Sequence, residues 1–110
     1  MTKSKVETYL GFCIRARKIV FGIDNVENSK RGVHLLLSDG SLGENSFKIM
    51  VKTKEKFACP LLTTESGVLG ELLHRPAVKA VAIKDEHLAA AILSSVKDEP
   101  QWKLYSGGNN

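Results

Sequence analysis

Proline and cysteine are scarce in this chain, and no apolar run is long. With 3 prolines in 110 residues and 43% hydrophobic side chains, it can bury a core without metal or disulfide staples. Cys13 and Cys59 lie far apart, with no Cys-x-x-Cys and no zinc-ligand spacing. Cys13 falls in a helical apolar pattern and Cys59 just before Pro60, so both are expected to be buried thiols. No apolar stretch approaches the roughly 20 residues that a membrane span needs. The start, Met1-Thr2-Lys3-Ser4-Lys5, leads into polar sequence instead of a secretory apolar segment. The expectation is a cytoplasmic protein with no membrane partner. Its apolar content is too high, and its charge too modest, for wholesale disorder.

Reactive motifs are missing as well. There is no P-loop, no strand-linked G-x-G-x-x-G, no G-x-S-x-G elbow and no His-Glu-x-x-His. His34, His74 and His87 are scattered, and the pairs Glu65/Glu71 and Asp98/Glu99 read as solvated carboxylates. No catalytic residue, metal or cofactor is expected, and the chain is not read as an enzyme. Gly40-Ser41-Leu42-Gly43 and Gly67-Val68-Leu69-Gly70 have the spacing of a nucleic-acid clamp, but neither has a basic filling.

What the chain does have is ordered alternation. Val6, Tyr9, Leu10, Cys13 and Ile14 recur at helical steps. Lys18 to Phe21 is β-like and ends at Gly22. A second helix is expected from Gly22 to Arg31, stopped by Gly32. Val33 to Leu37 reads as a buried central strand, and Glu44 to Phe57 as a basic amphipathic helix. Pro60 to Thr63 is a strand, followed by a helix over Glu65 to Leu73 with Thr64 as its cap. Val78 to Ile83 is the last strand, and Asp85 caps a final helix through Val96. The pattern predicts an α/β fold, a three-layer α/β/α sandwich on a four-stranded mixed sheet. One domain spans 1–96. Residues 97–110 are read as an exposed tail, interrupted by Pro100 and Gly107-Gly108, with Trp102, Leu104 and Tyr105 available to dock.

The net charge of +4 is uneven. Residues 1–58 hold 11 Lys/Arg against 6 Asp/Glu, and residues 59–110 hold 5 against 6. A basic half favours an anionic partner such as RNA. Arg15, Arg17 and Lys18 end the first helix, and Lys30 and Arg31 the second, where cations also stabilise helix C-termini. Lys48, Lys52 and Lys56 form a row that is more simply a solvated face than a phosphate track.

The order of motifs carries a resemblance. Tyr9-Leu10-Gly11-Phe12-Cys13-Ile14-Arg15-Ala16-Arg17-Lys18-Ile19-Val20-Phe21-Gly22 resembles the opening of the kink-turn-binding ribosomal protein superfamily, the L-seven-Ae and L-thirty-e type. Val33 to Asp39 is similar to its strand with a polar-Asp turn, and Lys56-Phe57-Ala58-Cys59-Pro60-Leu61 to its third-strand entry. Leu69-Gly70-Glu71-Leu72-Leu73-His74-Arg75-Pro76 and Val81-Ala82-Ile83-Lys84-Asp85 resemble two later signatures. The match runs from about Tyr9 to Leu93 and is nearest to the short bacterial YlxQ-type proteins.

That resemblance implies non-enzymatic binding of structured RNA, ribosomal RNA being the expected kind, by a monomer in the company of ribosomal proteins. The family grips bent RNA through a strand-to-helix turn and a loop before the last strand. Here the corresponding RNA-binding residues are Lys18, Gly22, Ile23, Asp24, Asn25 and Lys30 on one edge, with Arg75, Pro76 and Ala77 on the adjacent loop. Asp24 stands where the family has Asn, and Asn25 where it has Glu. Asp24 thus lacks an amide donor and adds a negative charge, while Asn25 can still meet a base edge. The alternative is a protein-interaction adaptor of the same fold that no longer contacts RNA.

Overall fold

The computed structural model describes residues 4–106. The chain start at Met1–Lys3 and the Gly107-Gly108 of the expected tail lie outside the described residues. Eleven elements follow one another: α1 (Lys5–Arg15), β1 (Ile19–Phe21), α2 (Ile23–Glu27), β2 (Leu35–Ser38), α3 (Glu44–Phe57), β3 (Leu61–Thr64), α4 (Val68–Leu73), β4 (Ala80–Ile83), α5 (Glu86–Ser95), a 3-10 turn (Val96–Asp98) and β5 (Trp102–Leu104). The sheet runs β1-β4-β2-β3-β5. Only β2 and β3 pair in parallel, with α3 as the crossover. β4 is antiparallel to both β1 and β2.

The sandwich follows from side-chain alternation along the sheet. Leu35, Leu37, Leu62, Val81 and Ile83 face α1, α4 and α5, while Leu36, Leu61, Ala80 and Ala82 face α2 and α3. Every residue of β2 and β4 is buried, as a central strand covered on both faces requires. Cys13 and Cys59 are both buried and free. Burial, reinforced by the Asp85 charge, pushes the Cys13 thiol up to about 11, and burial also raises Cys59.

Three sequence expectations need correction. The sheet has five strands, not four, because the segment read as an exposed tail supplies β5. β5 pairs antiparallel with β3, Thr64 opposite Trp102 and Leu62 opposite Leu104. Trp102 is buried in the core while Leu104 stays exposed, so the folded unit extends past residue 96. Glu99 ties this segment to the chain start, accepting from Ser4 Oγ at 2.6 Å.

The second correction concerns α2, which stops at Glu27 instead of continuing to Arg31. From Asn28 to Gly32 there is no apolar residue to hold another turn against the sheet. Lys56 Nζ also donates to Ser29 O at 2.8 Å, pinning the chain in its non-helical course. Third, Thr64 does not cap α4. It ends β3, and its hydroxyl lies 2.7 Å from Glu65 O, its closer acceptor, and 3.2 Å from Asp39 Oδ1. The capping carboxylate is Asp39 itself, which accepts from Gly67 N and Leu69 N at 2.9 Å each.

Candidate functional site

The strand-to-helix turn sits at the edge of the sheet. Gly22 adopts φ +91°, a conformation that side chains with a Cβ avoid, and this turns β1 directly into α2. Its N–H donates to Ala80 O at 2.8 Å, and its carbonyl accepts from Val26 N at 2.9 Å. Lys84 N donates to Lys18 O at the other end of the β1–β4 pair. Those two bonds fix the alternation, so Ile19 and Phe21 aim their backbone groups at the outer edge. Asn25 covers one of them, its Nδ2 donating to Phe21 O at 3.0 Å. With one N–H of the amide anchored, Oδ1 and the second N–H are left for a partner. Asn25 and Asp24 are both exposed.

The loop between α4 and β4 comes to the same place. His74 ends α4 in the left-handed region at φ +57°, and Arg75 N closes on Gly70 O at 2.9 Å. Gly70 is required by close approach: a Cβ there would lie 3.0 Å from the Arg75 carbonyl oxygen and from Pro76. Arg75 then lays its guanidinium over the Phe21 ring, 4.5 Å from the centroid. This contact joins the loop to the residue preceding Gly22. The segment that turns at Gly22 and the loop that starts at Arg75 therefore meet through Phe21.

Lys18 and Lys30 are not part of that gathering. Lys18 enters β1 at its far end, four extended steps or about 13 Å from Gly22. Lys30 lies on the segment leading to the start of β2, also away from the turn. Lys48 and Lys52 are exposed on α3, while Lys56 is engaged by Ser29 O. His74 Nε2 lies 2.9 Å from Glu7 Oε2, a surface contact between α4 and α1.

Sequence reasoning gave Asp39 no role of its own, only the strand-ending turn. The carboxylate is buried and gathers Ser41 N, Ser41 Oγ, Thr64 Oγ1, Gly67 N and Leu69 N. Burial alone would raise its pKa, but the hydrogen bonds from Ser41, Gly67 and Leu69 outweigh it and hold the group at about 2. The local signal was Ser38-Asp39-Gly40-Ser41 after an apolar run, a side-chain-supported turn. Asp39 locks the β2–α3 turn to the β3–α4 loop, beside the Gly22 end of the sheet. Among the described residues, no three His, Cys, Asp or Glu side chains are placed to hold a metal ion. No described helix is long and apolar enough to cross a membrane.

No family model and no curated protein matches the chain. Among solved structures it is similar to a protein from Bacillus halodurans described as having unknown function. The TM-score is 0.71 at 18% identity, covering 86% of this chain and 99% of that one. Similarity at that level establishes the shared α/β fold.

Proposed function

We propose that this protein binds structured RNA without catalysing a reaction, through the Gly22 turn and the 75–77 loop. The observation that supports this most directly is the Arg75 guanidinium stacked on Phe21. It unites two segments that the family resemblance singled out separately, more than 50 residues apart in sequence. With its guanidinium carbon over an aromatic face and no described hydrogen-bond partner, Arg75 has N–H donors to offer a phosphate. Asn25, anchored through Nδ2, offers Oδ1 to a base edge that carries an N–H. Gly22 lets the backbone come close to the ligand, with no side chain in the way. On this reading the partner is ribosomal RNA, near ribosomal proteins in the cytoplasm, and the protein acts as a monomer resembling the kink-turn-binding superfamily.

A fluorescence titration against ribosomal RNA fragments at several salt concentrations tests it. If four to six phosphates are neutralised, log affinity falls against log salt with a slope of about −3 to −5. The protein should bind a stem broken by an asymmetric internal loop more tightly than a continuous one, and Asn25→Ala with Arg75→Ala should abolish that difference. Absence of binding at low salt, or a flat salt response, overturns the proposal and leaves the adaptor reading in its place.

A further inference from the structure

The positive charge of the molecule does not collect at the Gly22 turn. β1 and β2 start, and β4 finishes, at the opposite end of the sheet. Each of those chain passages brings cations there: Arg17 and Lys18 into β1, Lys30 and Arg31 into β2, and Lys84 out of β4. Their adjacency is fixed by backbone contacts. Lys84 N bonds Lys18 O at 2.7 Å, and His34 N bonds Ile83 O at 2.9 Å. The Lys84 stem passes Gly32 so closely that a Cβ there would meet Cε at 3.5 Å. Arg17, Lys18, Lys30 and Arg31 are exposed, and Lys84 is half-buried.

Helix-end stabilisation accounts for only part of this group. Arg17 N and Lys18 N close the C-terminus of α1 on Ile14 O and Cys13 O. Lys30 and Arg31, however, lie beyond the end of α2 and Lys84 precedes α5, so the dipole gives those three no reason to be there. Among the described residues, no ion pair engages any of them. The carboxylates that adjoin them in the chain are Asp85, the α5 cap whose Oδ1 already accepts from Leu88 N at 2.8 Å, and the exposed Glu86 and Glu27, against five cations.

We infer that this basic end is a second RNA contact, holding the phosphate backbone while the Gly22 and Arg75 end reads its shape. The inference rests on the RNA-binding reading above. The cations span the ends of three neighbouring strands, roughly 10 Å across at the usual inter-strand spacing. That spread suits a row of phosphates better than a single anion. β1 links the two ends along the sheet edge, and among the described residues no strand pairs with its outer side. The span from Lys18 to Gly22, about 13 Å, corresponds to on the order of four phosphate steps at the per-strand rise of a duplex. One RNA stem lying along β1 therefore reaches both ends.

The test uses two labelled RNA hairpins, one with an asymmetric internal loop in its stem and one with a continuous stem. Binding of each is followed by anisotropy across a salt series. The Arg17→Gln, Lys18→Gln, Lys84→Gln variant should weaken both hairpins alike and reduce the magnitude of the salt slope by about 2–3. The Lys18→Arg, Lys84→Arg variant should retain the wild-type slope, which separates charge from folding defects. An unchanged slope in the Gln variant overturns the inference while leaving the Gly22-turn reading intact. If the wild-type protein binds neither hairpin at low salt, both readings fall. Displacement of the RNA by polyglutamate as readily as by RNA of equal charge also overturns it, assigning that end to acidic protein surfaces.

Discussion

The two ends of the sheet are built on different principles. At the Gly22 end, loops are tied by directed contacts: Asp39 gathers two loops, Gly22 bonds Ala80, and Arg75 rests on Phe21. Arg75 and Lys79 are offset there by Asp24 and Glu65, so shape exceeds charge. At the other end, flexible cations extend from connecting segments and few side-chain bonds restrain them. A rigid, nearly neutral end can discriminate geometry, whereas a soft basic end can supply attraction that is indifferent to sequence. Separating the two keeps the cations from distorting the loops that must hold their form.

The largest expected break in that contrast is at Asp39. Asp39→Ala leaves Leu69 N without its acceptor in a buried setting and removes the acceptor of Gly67 N and Ser41 N, while Thr64 Oγ1 keeps Glu65 O. It should cost about 2–3 kcal/mol in urea unfolding. The wild type should show the matching pH dependence. Its folded pKa of about 2 lies below the unfolded value near 3.9, so the carboxylate stabilises the fold above roughly pH 4. That contribution, about 2 kcal/mol, is lost as pH falls toward 2. The variant should be flatter over the same window. Equal acid sensitivity in both proteins would show that Asp39 does not hold this end together.

The same contrast explains what was legible in the sequence. Local signals were sufficient for α3, whose bounds Glu44 and Phe57 follow from helical periodicity, and for Asp85 as a cap, which accepts from Leu88 N. The apolar run before Ser38 likewise marked a central strand. What failed was nonlocal. Thr64 carries the right chemistry for a cap, but the carboxylate that performs the task comes from another loop. β5 is three residues with no periodicity of its own, and only the open edge of β3 makes it a strand. For the candidate site, the turn and the loop could each be named, but their stacking through Phe21 could not. The family resemblance groups Lys18 and Lys30 with the turn on one edge, although a strand or a loop carries each of them away from it.

A smaller effect is expected at the contact joining the turn to its loop. Arg75→Ala should lower stability by only about 0.5–1 kcal/mol, the range for an exposed cation on an aromatic ring. A double-mutant cycle with Phe21→Leu isolates that coupling. Arg75→Lys keeps the charge but loses the flat guanidinium, so it should recover the salt slope of RNA binding without recovering the preference for an interrupted stem. Zero coupling in the cycle would mean that the two segments are neighbours and not a unit.

The smallest effect on folding belongs to the basic end, and its smallness is informative. Lys18→Gln with Lys84→Gln should shift stability by less than about 0.5 kcal/mol, since neither head group has a described side-chain bond. Neighbouring cations repel, so added salt should stabilise the wild type more than this variant. Urea midpoints at low and high salt measure both quantities. A loss above about 1 kcal/mol would place the two lysines in the framework, alongside Asp39. A near-zero change with a reduced salt response means that the fold tolerates their mutual repulsion without drawing stability from them, as a surface kept available for an anionic partner would.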